Sequence, residues 1–514
     1  MTSSRTPVAD VCLILEGTYP YVAGGVSTWT HDLIRGSKDR TFHIVSLLAK
    51  DEPRTVRYEV PPNVTGISHI FIQDLPKGRR FMFGAEKLMR ELEPVLMRVH
   101  RRGGLADIAR LLKILEPHKA KIGRTQLLDS PAAWRQLVRM YRRTLKGSSF
   151  LHYFWTWRAL IGGLYSVLLS DLPLCRVYHA VSTGYAGLWG ARAALETGRP
   201  LLLTEHGIYT NERRVEIAMA DWLFEVGSSG LAVESGEKGL KDLWVDSFLT
   251  YSRACYEAAT GIITLFEGNQ RLQMADGADR SKMWVIPNGV DVERFSKVKR
   301  DPGPRPPTVA LIGRVVPIKD VKTFIRAADI LRRSIPDVKC LMIGPYEEDP
   351  VYYEECRQMV EGLGLGGTFE FTGRKKLDEV LGQIDVNVLT SISEGQPLVV
   401  LEAGATGVPT VATNVGSCSE LIYGREDESP RLGPGGEVTG LSNPRATAAA
   451  IRRLITDQDW FDRCANAIRE RCKTYYDQRS VEQAYGDLYS QLAEQDDMTP
   501  EIPEPPAEPE KEAV

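Results

Sequence analysis

Short apolar runs rich in β-branched residues alternate with helix-length segments from one end of this 514-residue chain to the other. No other feature constrains the fold as strongly. A strand, a helix-length crossover and another strand build a parallel sheet with right-handed connections. Runs that stay apolar throughout belong to strands covered on both faces. The predicted strands are Val8–Leu15, Phe42–Leu47, Val177–Ala180, Leu201–Thr204, Gly261–Leu265, Thr308–Ile312, Lys339–Ile343, Thr368–Phe371, Val386–Leu389 and Thr410–Ala412. One hydrophobic core stops growing near ~250–300 residues, so this length implies two α/β domains.

The division between them is marked by turn chemistry. Val285-Ile286-Pro287-Asn288-Gly289-Val290-Asp291 ends a strand with a proline and an Asn-Gly turn, and Arg300 to Pro307 reads as a stiff, irregular connector; the domains are expected to close on the donor with the chain near 291–307 bending. The expected organisation is a Rossmann-like domain over 1–290, a second over 291–475, a helix over 476–495, and a disordered acidic, proline-rich tail over 496–514. Between Leu75 and Gly147 there are 18 Lys or Arg against 6 Asp or Glu, at helical spacing. This is a basic helical insertion in the first domain, read as solvated helices or as a docking surface for an anionic membrane face or acidic partner. In this architecture ligands bind at the carboxyl ends of the strands, and two such domains present those edges to a shared crevice.

Charge and cysteine usage narrow the function. A formal net charge of -3 argues against a nucleic-acid partner. Eight scattered cysteines without a Cys-x-x-Cys pair read as reduced, buried thiols rather than a disulfide framework or zinc site. The longest apolar stretch, Ala159 to Ser170, is too short to cross a bilayer, and the N-terminus carries no signal-peptide pattern. The expected location is cytoplasmic, with room for peripheral docking at the inner membrane.

Several segments carry chemistry. After the strand Thr308–Ile312, Gly313-Arg314 with Lys319 forms a cationic clamp suited to a diphosphate, because Arg engages phosphate through paired hydrogen bonds and Lys adds a point charge. After Val386–Leu389 comes Glu394-Gly395-Gln396-Pro397, opening an apolar helix with Pro397 at its first position. The amides of Leu398 and Val399 would then favour a bound phosphate by about 0.3–2 kcal/mol. Glu394 and Glu402 bracket this helix start as acceptors for hydroxyl donors. In the first half, Gly24-Gly25 opens a helix after the first strand, and His206 follows a strand end. Gly362 to Gly367 reads as a helix-ending loop, Asp457-Gln458-Asp459 as a cap, and no acidic cluster suggests a metal.

Together, Asn288-Gly289-Val290-Asp291, Gly313-Arg314 with Lys319, Phe371-Thr372-Gly373-Arg374 and Glu394-x7-Glu402 resemble the family-4 retaining glycosyltransferases of GT-B fold. The resemblance is strongest over about 285–425. It implies two Rossmann-like domains facing a central cleft and a nucleotide-sugar donor, with neither cofactor nor metal. It further implies that Arg314 and Lys319 bind the donor diphosphate, Glu402 the ribose and Glu394 the sugar hydroxyls. Gly373 and Arg374 would line the base pocket. Leu398 and Val399 offer amides, Gly25 an amide to the phosphate, and His206 would border the reacting sugar. Gln396 stands where related enzymes often carry an aromatic residue.

Within the family the chain is similar to enzymes of exopolysaccharide synthesis, through Glu16 to Tyr21, Gly24 to Trp29 and Thr204 to Tyr209. That implies transfer of a hexose or N-acetylhexosamine from a UDP-sugar to a growing polysaccharide, with an inner-membrane synthase and export complex as partner. Rival readings are a GT-B phosphorylase or epimerase, and a non-catalytic UDP-sugar-binding scaffold of a membrane polysaccharide synthase.

Overall fold

The computed structural model describes residues 7–17, 19–22, 24–79, 84–145, 148–210, 239–300, 303–495 and 498–503. Most of the acidic tail, together with Thr18, Ala23, residues 80–83, 146–147 and 301–302 of the segments discussed above, lies outside them. The chain divides into two compact units. The first holds residues up to Thr264, then 270–285 and the segment from Tyr485; the second holds 265–269 and 286–484.

The first unit is built on a seven-stranded parallel sheet of order β3-β2-β1-β4-β5-β6-β7. Its strands are β1 (Ala9–Glu16), β2 (Phe42–Leu48), β3 (Val64–Phe71), β4 (Cys175–Ala180), β5 (Leu201–Glu205), β6 (Gly261–Thr264) and β7 (Met283–Val285). Cys12, Leu13, Ile14 and Leu15 of β1 are all fully buried, because helices cover both faces of this central strand. The strand β3 was not expected. Its sequence, Val-Thr-Gly-Ile-Ser-His-Ile-Phe, mixes polar and apolar residues, and most of it is half-exposed at the sheet edge. β7 has three residues, too few for a period to show.

The basic insertion is helical, with helices over Ala85–Val99, Leu105–Leu115, Arg124–Leu127 and Pro131–Thr144. It is not a separate appendage. Leu88, Leu92, Leu96, Ile108, Leu111, Leu137 and Met140 share one core with the sheet. Much of its positive charge is matched locally: Arg98 pairs with Asp107, Arg135 with Glu86, and Arg139 and Arg143 with the buried Glu93. A 20-residue helix, Phe150–Leu169, follows. Among the described residues no helix is long and apolar enough to cross a membrane.

The second unit carries a six-stranded parallel sheet of order β10-β9-β8-β11-β12-β13. The strands are β8 (Thr308–Ile312), β9 (Lys339–Ile343), β10 (Phe369–Gly373), β11 (Val386–Leu389), β12 (Thr410–Thr413) and β13 (Gly436–Thr439). The two-residue period of β8 sends Val309 and Leu311 into one core and Ala310 into the other, so the sheet is sandwiched between helical layers. The edge strand β13 was also missed, since Gly-Glu-Val-Thr offers no apolar run. Gly362 does end a helix ahead of β10, and Asp457 caps the helix Gln458–Tyr475 by accepting from the Trp460 amide.

The C-terminal part of the stretch expected to bend is tied down where it is described. Arg300 and Arg305 both pair with Asp385, which also accepts from the Thr308 amide at 2.8 Å. The helix Gln478–Ala493 belongs to the second unit as far as Ala484 and to the first from Tyr485. There the buried Tyr489 hydroxyl meets His179 Nδ1 at 2.6 Å, and Tyr485 reaches Thr204 at 3.1 Å.

Candidate active site

Strand order sets where chemistry is possible. In each sheet the order reverses at one place, between β1 and β4 in the first unit and between β8 and β11 in the second. The loops leaving adjacent strands there diverge to opposite faces and leave a crevice at the carboxyl edge. The loops after β8 and β11 are the segments that carry Arg314, Lys319 and Glu394.

These two loops are stitched together. Thr390, just past β11, donates to the carbonyls of Lys319 and Asp320, both at 3.0 Å, and the Ile392 amide reaches the Ile318 carbonyl at 2.8 Å. Lys319 ends a short 3-10 turn, Pro317–Lys319, and its Nζ lies 2.5 Å from Glu394 Oε1. Ser391 Oγ donates to the same oxygen at 2.5 Å. The side chains of Lys319 and Glu394 are only 18% and 12% exposed, so this pair feels little screening by water. A third loop locks the arrangement. Gly416, at φ +53°, packs so tightly that a Cβ there would fall 2.2 Å from the Gly395 carbonyl and 2.3 Å from that of Glu394. Sequence reading passed over Gly416 and Ser391; their only signal was position beyond a strand end.

The helix after Glu394 runs Leu398–Thr406. Pro397 is its cap rather than its first residue, because its ψ of 112° leaves it extended. The amides of Leu398 and Val399 lie in the first turn, where no intrahelical acceptor exists. Gln396 has a structural role: the buried Asn288 donates from its backbone N to Gln396 Oε1 at 2.5 Å and from Nδ2 to the Gln396 carbonyl at 3.2 Å. The Asn-Gly motif thereby holds the loop that a resemblance alone marks as a sugar pocket.

Glu402, one turn further on, does not join the Lys319–Glu394 pair. It has no hydrogen-bond partner among the described residues. Burial pushes its carboxyl up to about 7; nearby Arg294 acts against this and Asp378 adds to it. Arg294 itself is held by Asp378 through three bonds of 2.8–3.0 Å.

Arg314 is about half exposed and its Nη1 lies 2.5 Å from Glu348, beyond β9. Gly373, at φ +69°, accepts from the Gly344 amide at 3.0 Å at the end of the edge strand β10, and Arg374 beside it is exposed. The structure thus joins Lys319 and Glu394 directly, places Leu398, Val399 and Glu402 on one helix next to them, and leaves Arg314 and Arg374 on neighbouring loops.

In the first unit, the helix Gly25–Gly36 starts after an extended Gly24 with open space around its Cα. Trp29, one turn along that helix, meets the His206 ring edge-on at 4.6 Å. His206 Nε2 is buried without a partner, and burial lowers its pKa to about 4, so the imidazole is neutral at pH 7. The preceding residue, Glu205, is buried and accepts from Thr183, Tyr209, Tyr256 and Gln273 at 2.7–3.1 Å. Those four bonds fix the strand end from which His206 projects. Among the described residues no group of three or more His, Cys, Asp or Glu is placed to hold a metal ion, and all eight cysteines are free and buried.

Comparison with known proteins decides what these sites belong to. The family model of glycosyl transferases group 1 matches residues 292–471, and that of a domain of unknown function, DUF3492, matches residues 9–281, more than half of the chain. The chain is a group 1 glycosyltransferase with an N-terminal DUF3492 domain.

This glycosyltransferase is a family-4, retaining enzyme. It is 27% identical over 325 residues to alpha-maltose-1-phosphate synthase of Mycolicibacterium smegmatis, covering 59% of this chain and 76% of that one. It is 29% identical over 226 residues to glycogen synthase of Mycobacterium tuberculosis, covering 43% of this chain and about half, 51%, of the relative. In fold it is similar to Anabaena HepE in complex with UDP, with a TM-score of 0.58 at 15% identity over 94% of this chain and 100% of that one. It is likewise similar to sucrose-phosphate synthase of Thermosynechococcus elongatus, with a TM-score of 0.57 at 17% identity over 94% and 99%. The glycosyltransferase therefore has the GT-B fold, two parallel Rossmann-like sheets of seven and six strands.

Proposed function

We propose that the enzyme transfers a hexose or N-acetylhexosamine from a UDP-sugar to a growing exopolysaccharide. The observation that carries this reading is the pairing of Lys319 with Glu394 at the switch point, beside the helix start at Leu398. Cleaving the bond between the anomeric carbon and the diphosphate oxygen leaves negative charge on the diphosphate. Lys319, Arg314 and the amides of Leu398 and Val399 are the groups we assign to stabilise it. Glu394, released from Lys319 as the phosphate takes its place, accepts hydroxyls of the sugar. Glu402 accepts those of the ribose, and Gly373 and Arg374 border the base. Gly25 and His206, in the first unit, are assigned to the donor phosphate and the transferred sugar.

A UDP-sugar donor is supported by neighbours of the same fold solved with UDP and with UDP-glucose. A polymeric acceptor is supported by the glycogen synthase among the relatives. The segments Glu16 to Tyr21, Gly24 to Trp29 and Thr204 to Tyr209, with the helical insertion, fit the glycosyltransferase PelF of Pel exopolysaccharide synthesis. On that reading the enzyme works in the cytoplasm beside an inner-membrane synthase and export complex.

Calorimetric titration with UDP, on the wild type and on Glu402→Ala, tests the donor site. Micromolar binding that weakens strongly in the variant is expected. Absence of binding to any nucleoside diphosphate would overturn the assignment.

A further inference from the structure

Residues 130–170 contain no Asp or Glu and six Lys or Arg. They fold as the last helix of the insertion, Pro131–Thr144, and the helix Phe150–Leu169. A row of rings joins the two. Trp134 meets Phe150 at 5.7 Å and Phe154 at 6.1 Å, Tyr141 meets Phe150 at 5.1 Å, and Phe154 meets Trp155 at 4.9 Å. The row comes to the surface: Trp134 is 50% exposed, Trp155 59% and the neighbouring Leu151 61%. Large apolar side chains grouped in water on adjacent helices mark a face that something covers.

Helical spacing separates this face from the core. Trp134, Val138 and the exposed Arg142 follow one another at four-residue steps along one side of the first helix. Leu151, Trp155 and the exposed Ala159 do the same on the second. Leu137, Met140, Trp157 and Leu160, on the other sides, belong to the core of the first unit.

The rings are rimmed by positive charge. Arg142 has no ion pair among the described residues. Glu86, Glu93 and Asp129 each serve two arginines, namely Arg90 and Arg135, Arg139 and Arg143, and Arg124 and Arg158. Half of that positive charge is therefore left uncompensated.

These features select the occupant. A saccharide needs acceptors for its hydroxyls, and neither helix carries a carboxylate. An acidic peptide answers the arginines but leaves the Trp and Leu side chains without a partner. An anionic bilayer surface offers both in the right order: headgroup oxygens for the arginines and, about 5–10 Å deeper, an apolar boundary for Leu151 and the two indoles. Trp, with an apolar body and a polar N–H, suits that boundary.

We propose that the outer face of these two helices docks directly on an anionic lipid bilayer, with Trp134, Leu151 and Trp155 seated in the interface and Arg135 and Arg142 among the headgroups. It rests on the reading that the enzyme works beside an inner membrane, and adds that lipid itself holds the enzyme there.

The test is flotation of the full chain with vesicles of equal parts phosphatidylcholine and phosphatidylglycerol, and with vesicles of phosphatidylcholine alone. Binding to the anionic vesicles that weakens as salt is raised is expected, with little binding to the neutral ones. The double substitution Leu151→Ser with Trp155→Ser, and separately Arg142→Glu, should each lower partitioning by about tenfold or more. All three side chains are exposed, so an unchanged circular-dichroism spectrum and unchanged UDP affinity are expected of both variants. No binding to anionic vesicles, equal binding to both kinds, or binding left intact by either variant would each overturn the proposal. Self-association that the double substitution abolishes, without vesicle binding, would give the face to a second copy and overturn it too. The assay needs neither donor nor acceptor: UDP binding without vesicle binding sinks this proposal alone, and vesicle binding without UDP binding sinks the donor assignment alone.

Discussion

Replacing Glu402 with glutamine should stabilise the second unit in proportion to pH. The carboxyl ordinarily titrates at 4.5 and is raised to about 7 in the folded protein, mainly by burial. Between those values the folded state binds more protons than the unfolded one, so the wild type loses stability as pH rises through that window. At ~1.36 kcal/mol per pH unit, the loss amounts to about 2 kcal/mol by pH 6 and about 3 kcal/mol by pH 8. Below pH 4.5 both forms are neutral and the glutamine gains nothing. The difference in stability between Glu402→Gln and wild type should therefore grow from near its acid-side value to about 3 kcal/mol above it. For a unit of this size that corresponds to roughly 6–12 °C in Tm at pH 8. Thermal melts of both proteins at pH 4.5, 5, 6, 7 and 8 provide the readout. A fixed cost of seating the amide shifts every point equally, so the slope decides. A difference that stays flat between pH 4.5 and 8, or falls, would refute the claim that Glu402 is held in a poorly hydrated position without a partner. On the proposed function, Glu402 is kept at this cost because it serves the donor ribose. A carboxylate already desolvated and unpartnered is ready to accept hydroxyl donors.

Three further outcomes are expected. Lys319→Ala should lower kcat by about 10²–10³ with the circular-dichroism spectrum unchanged, as for loss of one preorganised charge at a leaving group, and near-normal turnover would remove Lys319 from the mechanism. UDP affinity should be the same with and without EDTA, because Lys319, Arg314 and the helix start supply the positive charge; a drop of tenfold or more in chelator would mean that a bound ion contributes. Arg471→Ala should cost about 3–5 kcal/mol in urea denaturation, since Arg471 and Glu428 are each 1% exposed and the guanidinium also satisfies the Ile422 and Gly433 carbonyls; a cost below about 1 kcal/mol would show that water replaces it.

Features that depend on neighbours within a few residues were largely legible in the chain. The apolar runs at Thr308–Ile312 and Val386–Leu389 are strands with those limits, and Asp457 caps the helix that follows it. The alternation of strands and crossovers gave two parallel sheets, and short motifs placed the candidate donor residues just beyond strand ends. Edge strands escaped, because β3 and β13 lack the double coverage that makes a strand apolar throughout. The tertiary structure decided which distant residues meet. Strand order put the loops after β8 and β11 side by side, so that Lys319 found Glu394 75 positions away, while Glu402 turned toward Arg294 and Asp378. It spent much of the basic insertion on internal ion pairs and tied the connector to Asp385. Pairing of charges and hydroxyls across a fold depends on direction and separation in space, and periodicity along the chain carries neither.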